Sequence, residues 1–176
     1  GKSLTLRDQI ASQLSDVELN SDDSASLLLD FSDVRDVTRR FPQASKAATD
    51  LETGLNTLVS VVVDLTRTTS ATTADTISNE VKSRLEGVNQ QMNTIKTEAG
   101  SSVDMVADLD EKITAINDLL AGDEGILTLK SQMLAASAEA QKLLTQAEAH
   151  NKTALDGLNQ LLSRARTVAG EIQAEA

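Results

Sequence analysis

Apolar and small side chains recur at alternating spacings of four and three along most of the chain, the period at which side chains stack on one face of an α-helix. The pattern is least broken at the end. Met133, Ser137, Ala140, Leu144, Ala147, Asn151, Ala154, Leu158, Leu161, Ala165, Val168 and Ile172 lie on one stripe, the heptad seam of knobs-into-holes packing. No proline interrupts this stretch, and the spacing predicts a helix over 125–174. At a rise of 1.5 Å per residue it reaches roughly 75 Å, well beyond the diameter of a compact domain of this size.

The same reading predicts five shorter helices upstream. Leu6, Ile10, Leu14 and Val17 mark one over 3–19, which the polar cluster Asn20-Ser21-Asp22-Asp23 is expected to stop while supplying the next N-cap. Leu27, Phe31, Val34, Thr38 and Phe41 mark a second over 22–41. Pro42 removes a backbone donor and disfavours α geometry before it, so a break or a kink is expected there. Ala44, Ala48, Leu51, Leu55, Leu58, Val62 and Leu65 resume the stripe over 43–66. The hydroxyl-rich run 66–75 reads as a turn, because its side chains can bond backbone groups in place of a helix ladder. Ile77, Val81, Leu85, Val88, Met92 and Ile95 give a helix over 75–99 with Gly100 as its C-terminal cap, and Val106, Leu109, Ile113, Ile116 and Leu120 give one over 102–121.

The expected fold is all-α: one domain over 1–176, an elongated antiparallel bundle of about six helices. No single short helix can cover the last one along its length, so the shorter ones are expected to dock end to end in two stacked tiers sharing the long C-terminal helix.

Composition narrows the function. Only Phe31 and Phe41 are aromatic, which leaves Leu, Ile, Val, Met and Ala to build the core. A net charge of -11 repels phosphate backbones, and without Tyr or Trp there is no stacking platform for bases, so no nucleic acid is expected as a partner. Zero cysteines remove disulfides and thiolate metal sites. His150, the only histidine, lacks partners at metal-ligand spacing, and no phosphate-binding or nucleophile-elbow motif occurs. Neither enzymatic activity, a metal nor a cofactor is expected of this segment.

Four residues remain as candidate ligand contacts. Arg35 and Arg39 stand four apart beside Arg40, and arginine forks grip carboxylates and oxyanions. The bland reading is a solvated face, since Asp36 and Arg40 have ordinary ion-pair spacing. Arg67, entering the threonine-rich run, is a third possible anion contact. Asn151 interrupts the seam, where a buried amide needs a partner and can set register across a dimer or face a ligand; water admitted to the middle of the bundle is the bland alternative. Gly54, Gly87, Gly157 and Gly170 lie within helices at a cost of about 1 kcal/mol each, which close helix approach or local bending would explain.

From Leu119 to Ala165 the chain carries a Gly122-Asp123-Glu124-Gly125 turn, Leu129-Lys130, Leu143-Leu144, Ala154, Leu158, Leu161-Leu162 and Ala165. In these residues it resembles the C-terminal part of the periplasmic helical sensor domains of TorS-type hybrid histidine kinases and helical bimodular chemoreceptors. It departs from them at His150, where they usually have an aliphatic residue, and at Ile126 and Leu127, where they often carry phenylalanine. The resemblance implies an extracytoplasmic, periplasmic domain of a membrane-anchored receptor, acting as a homodimer. A small anionic ligand or a periplasmic binding protein would be the input and the long helix the output. A structural or adaptor coiled coil without a small-molecule ligand fits the heptads and acidity equally.

Overall fold

A computed structural model of the chain describes residues 2–33, 39–100 and 104–176. The protein is all-helical, with helices α1 (Lys2–Asp33), α2 (Pro42–Arg67), α3 (Ala71–Glu98), α4 (Met105–Ala121) and α5 (Ile126–Glu175) among the described residues. Four of them, α1 to α4, make a helical bundle, where about six helices were expected.

The largest departure from expectation is α1, which continues through Asn20–Asp23. The polar cluster does not cap. Asn20 donates to the Asp16 carbonyl at 2.8 Å and Ser24 to the Asn20 carbonyl at 2.7 Å, so both side chains bond back onto the preceding turn. Ser21 and Ser24 are buried, and with them the inward stripe runs unbroken from Val17 through Leu28 to Phe31. Ser21 thus takes a core position where the sequence reading expected the first helix to stop.

Pro42 starts α2 and so ends the ambiguity in favour of a break; Phe41 precedes it in non-helical geometry (φ -132°, ψ 63°). The hydroxyl-rich run is mostly helical. Only residues 68–70 separate α2 from α3, and the Ser70 hydroxyl accepts from the Thr73 amide at 3.3 Å as the N-cap. Thr66 and Thr76 bond to carbonyls three and four residues back, which leaves the helix ladder intact. Gly100, at φ 43°, follows α3 in the left-handed region, as its predicted capping role requires.

The bundle is up-down-up-down, because each helix pairs with its sequence neighbours and α1 closes the ring against α4. Polar clasps fix the directions. Asn89 of α3 and Asn117 of α4 exchange side-chain hydrogen bonds of 2.8 and 2.7 Å, and Lys96 pairs with Asp110 at 3.0 Å. Seven residues forward on α3 thus meet seven back on α4, the register of antiparallel neighbours. Gln13 with Glu124 and Asp23 with Lys112 set the same sense for α1 and α4. The core is aliphatic: Leu51, Leu55, Leu58, Val62 and Leu65 from α2 and Val81, Leu85, Val88, Met92 and Ile95 from α3 are buried, as their spacing predicted. Each such burial contributes about 1.5–3 kcal/mol.

The chain divides into two units, Gly1–Leu134 and Ala135–Ala176. The first holds the bundle and the opening turns of α5, whose Ile126, Leu129 and Lys130 are buried. The second is helical throughout to Glu175, and every residue from Ser137 onward is exposed. No described helix is long and apolar enough to cross a membrane.

Candidate functional site at the start of the long helix

The turn between α4 and α5 is built by glycine sterics. The Gly122 amide caps α4 on the Asp118 carbonyl at 3.0 Å, and the Gly125 amide returns to the Gly122 carbonyl at 2.8 Å. Gly125 in turn accepts from the Leu129 amide at 3.0 Å and so opens α5. A Cβ on Gly122 would run into the Asp118 carbonyl oxygen, and one on Gly125 would lie 2.6 Å from the Leu120 oxygen and 2.9 Å from the Gly122 nitrogen. Both positions exclude any side chain on backbone grounds.

Two side chains bind this turn and the first turns of α5 to the bundle. Gln13 of α1 donates to the Glu124 carbonyl at 2.6 Å, while its own Oε1 is buried with no hydrogen-bond partner among the described residues. Lys130 is 2% exposed and donates through Nζ to the Thr66 carbonyl at 2.9 Å. That carbonyl lies in the last turn of α2, where helix carbonyls lack internal donors and the dipole is negative. The ammonium is therefore a C-terminal cap supplied by another helix. Burial, and secondarily the Arg7 guanidinium, hold its pKa below the usual lysine value of 10.5.

The sign of the consequence follows. Between the lowered folded value and 10.5 the unfolded chain binds more protons than the folded one, so this group's contribution to stability rises with pH across that interval. Lys130→Met should change stability by about 1 kcal/mol or less at pH 7, since loss of the Thr66 bond and relief of desolvation oppose each other. Denaturant titrations at increasing pH should show the wild type gaining on the variant. A difference that stays constant to pH 10.5 would show that the ammonium is not desolvated.

The residues singled out from sequence are not gathered at this site or at any other. Arg35, with Asp36, lies outside the described residues. Arg39 is exposed just before α2, with neighbouring Arg40 over the Phe41 ring at 5.9 Å. Arg67 is exposed as the last residue of α2, so the two described arginines lie at opposite ends of a helix about 39 Å long and cannot share a small ligand. Asn151 is exposed in the second unit, as is His150.

Of the helical glycines, only Gly54 meets close helix approach: a Cβ there would lie 3.5 Å from Val88 of α3, whereas Gly87, Gly157 and Gly170 have nothing within 4 Å. A shallow groove of about 440 Å³ runs over Gly54 and Gly87, flanked by Asp50 and the Glu80–Arg84 ion pair. Among the described residues no group of His, Asp and Glu converges as a metal site.

Lys130 and Gln13 were missed, and for Lys130 a signal existed. Carrying the terminal stripe back from Ser137 by one heptad places Lys130 on the seam. A lysine on a seam is either exposed or, as here, held by a specific acceptor. Gln13 carries no such signal, because its partner is a backbone carbonyl far along the chain.

No family model, curated protein or solved structure matches the chain.

Proposed function

We propose that this chain is an extracytoplasmic sensing domain of a bacterial transmembrane receptor, a sensor histidine kinase or chemoreceptor, in which a ligand or a ligand-loaded binding protein shifts α5. The observation that carries this reading is α5 itself: one unbroken helix of 50 residues whose first turns are held in the bundle by Lys130, whose preceding turn is held by Gln13, and which is exposed from Ser137 onward. A small displacement at the packed end of such a helix propagates along it, because the backbone ladder resists bending more than side-chain packing resists a shift. The GDEG turn and the small and leucine positions that follow support the same reading through their likeness to periplasmic sensor domains. The proposal includes a homodimer, a second tier built on the exposed part of α5 in an elongated assembly, and no catalysis within this segment.

An anion input would use Arg35, Arg39 or Arg67, acting at separate places. A thermal-shift screen of small anions and amines tests this, since a ligand present at 100 times its Kd stabilises the folded state by about 2.7 kcal/mol. The expected result is a raised Tm for at least one ligand, lost on Arg35→Ala, Arg39→Ala or Arg67→Ala. Shifts that persist in all three variants remove these arginines, and a screen without any shift removes direct sensing of small molecules.

The exposed apolar heptads of α5 also favour a second reading, a structural or adaptor coiled coil with no ligand. Flanking sequence separates the two: membrane spans on either side support the receptor, and a polar or repetitive continuation the adaptor.

A further inference from the structure

We propose that the exposed face of α5 between Ser137 and Ile172 pairs with the same face of a second copy of this chain, parallel and in register, with Asn151 meeting its own counterpart. The inference rests on the dimeric part of the reading above and is independent of whether a ligand is sensed.

The extent of the face is its first support. Leu143, Leu144, Leu155, Leu158, Leu161, Leu162, Val168 and Ile172 are each between 49% and 64% exposed. At roughly 100 Å² of apolar surface apiece they offer about 800 Å² per chain, the share that one partner contributes to a stable interface.

The order of residues along the seam then selects the partner. Ser137, Leu144, Asn151, Leu158, Ala165 and Ile172 occupy the a positions, and Ala140, Ala147, Ala154, Leu161 and Val168 the d positions. In a parallel, in-register pair each layer meets its own kind, so the Asn151 amide finds an amide. An antiparallel pair sets a against d, and every d residue is apolar. A slip of one heptad sets Asn151 against Leu144 or Leu158. Of these arrangements the in-register parallel pair gives the buried amide another amide, and an unpartnered amide is costly.

Flanking positions agree with this choice. In that geometry a g position meets the e position five residues further along the partner, which places Leu162 over Gly157 and Leu155 over His150. Gly157 has nothing within 4 Å in the single chain and weakens its helix, yet it leaves the space a facing leucine needs. None of these g-to-e pairs sets two like charges together. Charge raises no obstacle either: past Leu134 the acidic residues are Glu139, Glu148, Asp156, Glu171 and Glu175, against Lys142, Lys152, Arg164 and Arg166, so nearly all of the net -11 lies elsewhere.

Because the chain has no cysteine, single introduced cysteines report the pairing directly in the full-length chain. Ala140→Cys and Val168→Cys should each form a disulfide-linked dimer on oxidation, and Asp156→Cys, on the opposite face, should not. Sedimentation should give a dimer mass. Leu158→Glu should weaken association at least tenfold without moving the bundle's melting transition, since Leu158 is exposed in the single chain. Asn151→Leu should tighten association while lowering the yield of the Ala140→Cys crosslink, as register is lost. Crosslinks found only when Ala140→Cys chains are mixed with Ala165→Cys or Ile172→Cys chains, which sets a d position against an a position, would mean an antiparallel pair and overturn the proposal. So would a trimer or tetramer, or a monomer at concentrations on the order of 100 µM. A dimer blind to every ligand leaves the pairing standing and removes sensing; a monomer that binds a ligand does the reverse.

Discussion

Gly125→Ala will destabilise the bundle by about 3 kcal/mol, a fall in Tm of about 10 °C for a unit of this size. The added methyl meets the Leu120 carbonyl carbon at 2.7 Å and oxygen at 2.6 Å, as well as the Gly122 nitrogen at 2.9 Å. All three are backbone atoms, so no rotamer change can relieve the overlap. The turn must open, and opening it withdraws Ile126 and Leu129 from the core and loosens the bond between Gln13 and the Glu124 carbonyl. Gly87→Ala is the matched control with the opposite expected sign. It lies within α3 with nothing near its Cβ, so alanine should stabilise the protein by about 0.5–1 kcal/mol through helix propensity. Urea denaturation of both variants checks the pair. Losses of similar size would show that the turn has no special steric demand.

This result bears on what the resemblance to sensor domains can carry. The Gly-acidic-acidic-Gly turn is its most specific part, and the geometry accounts for both glycines by packing alone. A turn that brings the backbone back onto the Asp118 and Leu120 carbonyls in this way demands glycine at these two places whatever the protein does. The turn therefore bears on how the long helix is launched and carries no argument about a ligand. The seam beyond it bears on function through pairing, which the crosslinking experiment addresses directly.

Where the sequence was legible, the signal was a long apolar period ended by strong punctuation. Pro42 and Gly100 fall at helix boundaries because one lacks a donor and the other adopts a positive φ, and α5 lies within a residue of its expected span. Polar residues inside helices were the source of error. Asn20 and Ser21 carry the composition of a cap, but the Asn20 side chain bonds back onto its own helix and Ser21 is buried within it. The threonine-rich run misled in the same way. Partners far apart in the chain depend on the fold being assembled: the heptad places Lys130 on the seam but does not name Thr66 as its acceptor, and nothing local pairs Asn89 with Asn117. The arginines illustrate the converse: Arg39 and Arg67 share a chemistry, but α2 holds them at its two ends.

Phe31→Ala is expected to cost about 3–5 kcal/mol, the full penalty of a buried aromatic truncation. Phe31 is 1% exposed and heads the largest fully buried side chains, while Phe41, the other aromatic, is only partly covered. It sits near the C-terminal end of α1, the end of the bundle at which α2 begins with the buried small residues Ala44, Ala47 and Ala48. A void the size of a ring collapses only in part in a close-packed aliphatic core, so the cost should fall within that range. Phe31→Leu, which retains most of the volume, should cost about 1 kcal/mol. The two variants together separate volume from aromaticity: a leucine as damaging as alanine would mean that the ring's shape, and not its bulk, holds that end of the bundle closed.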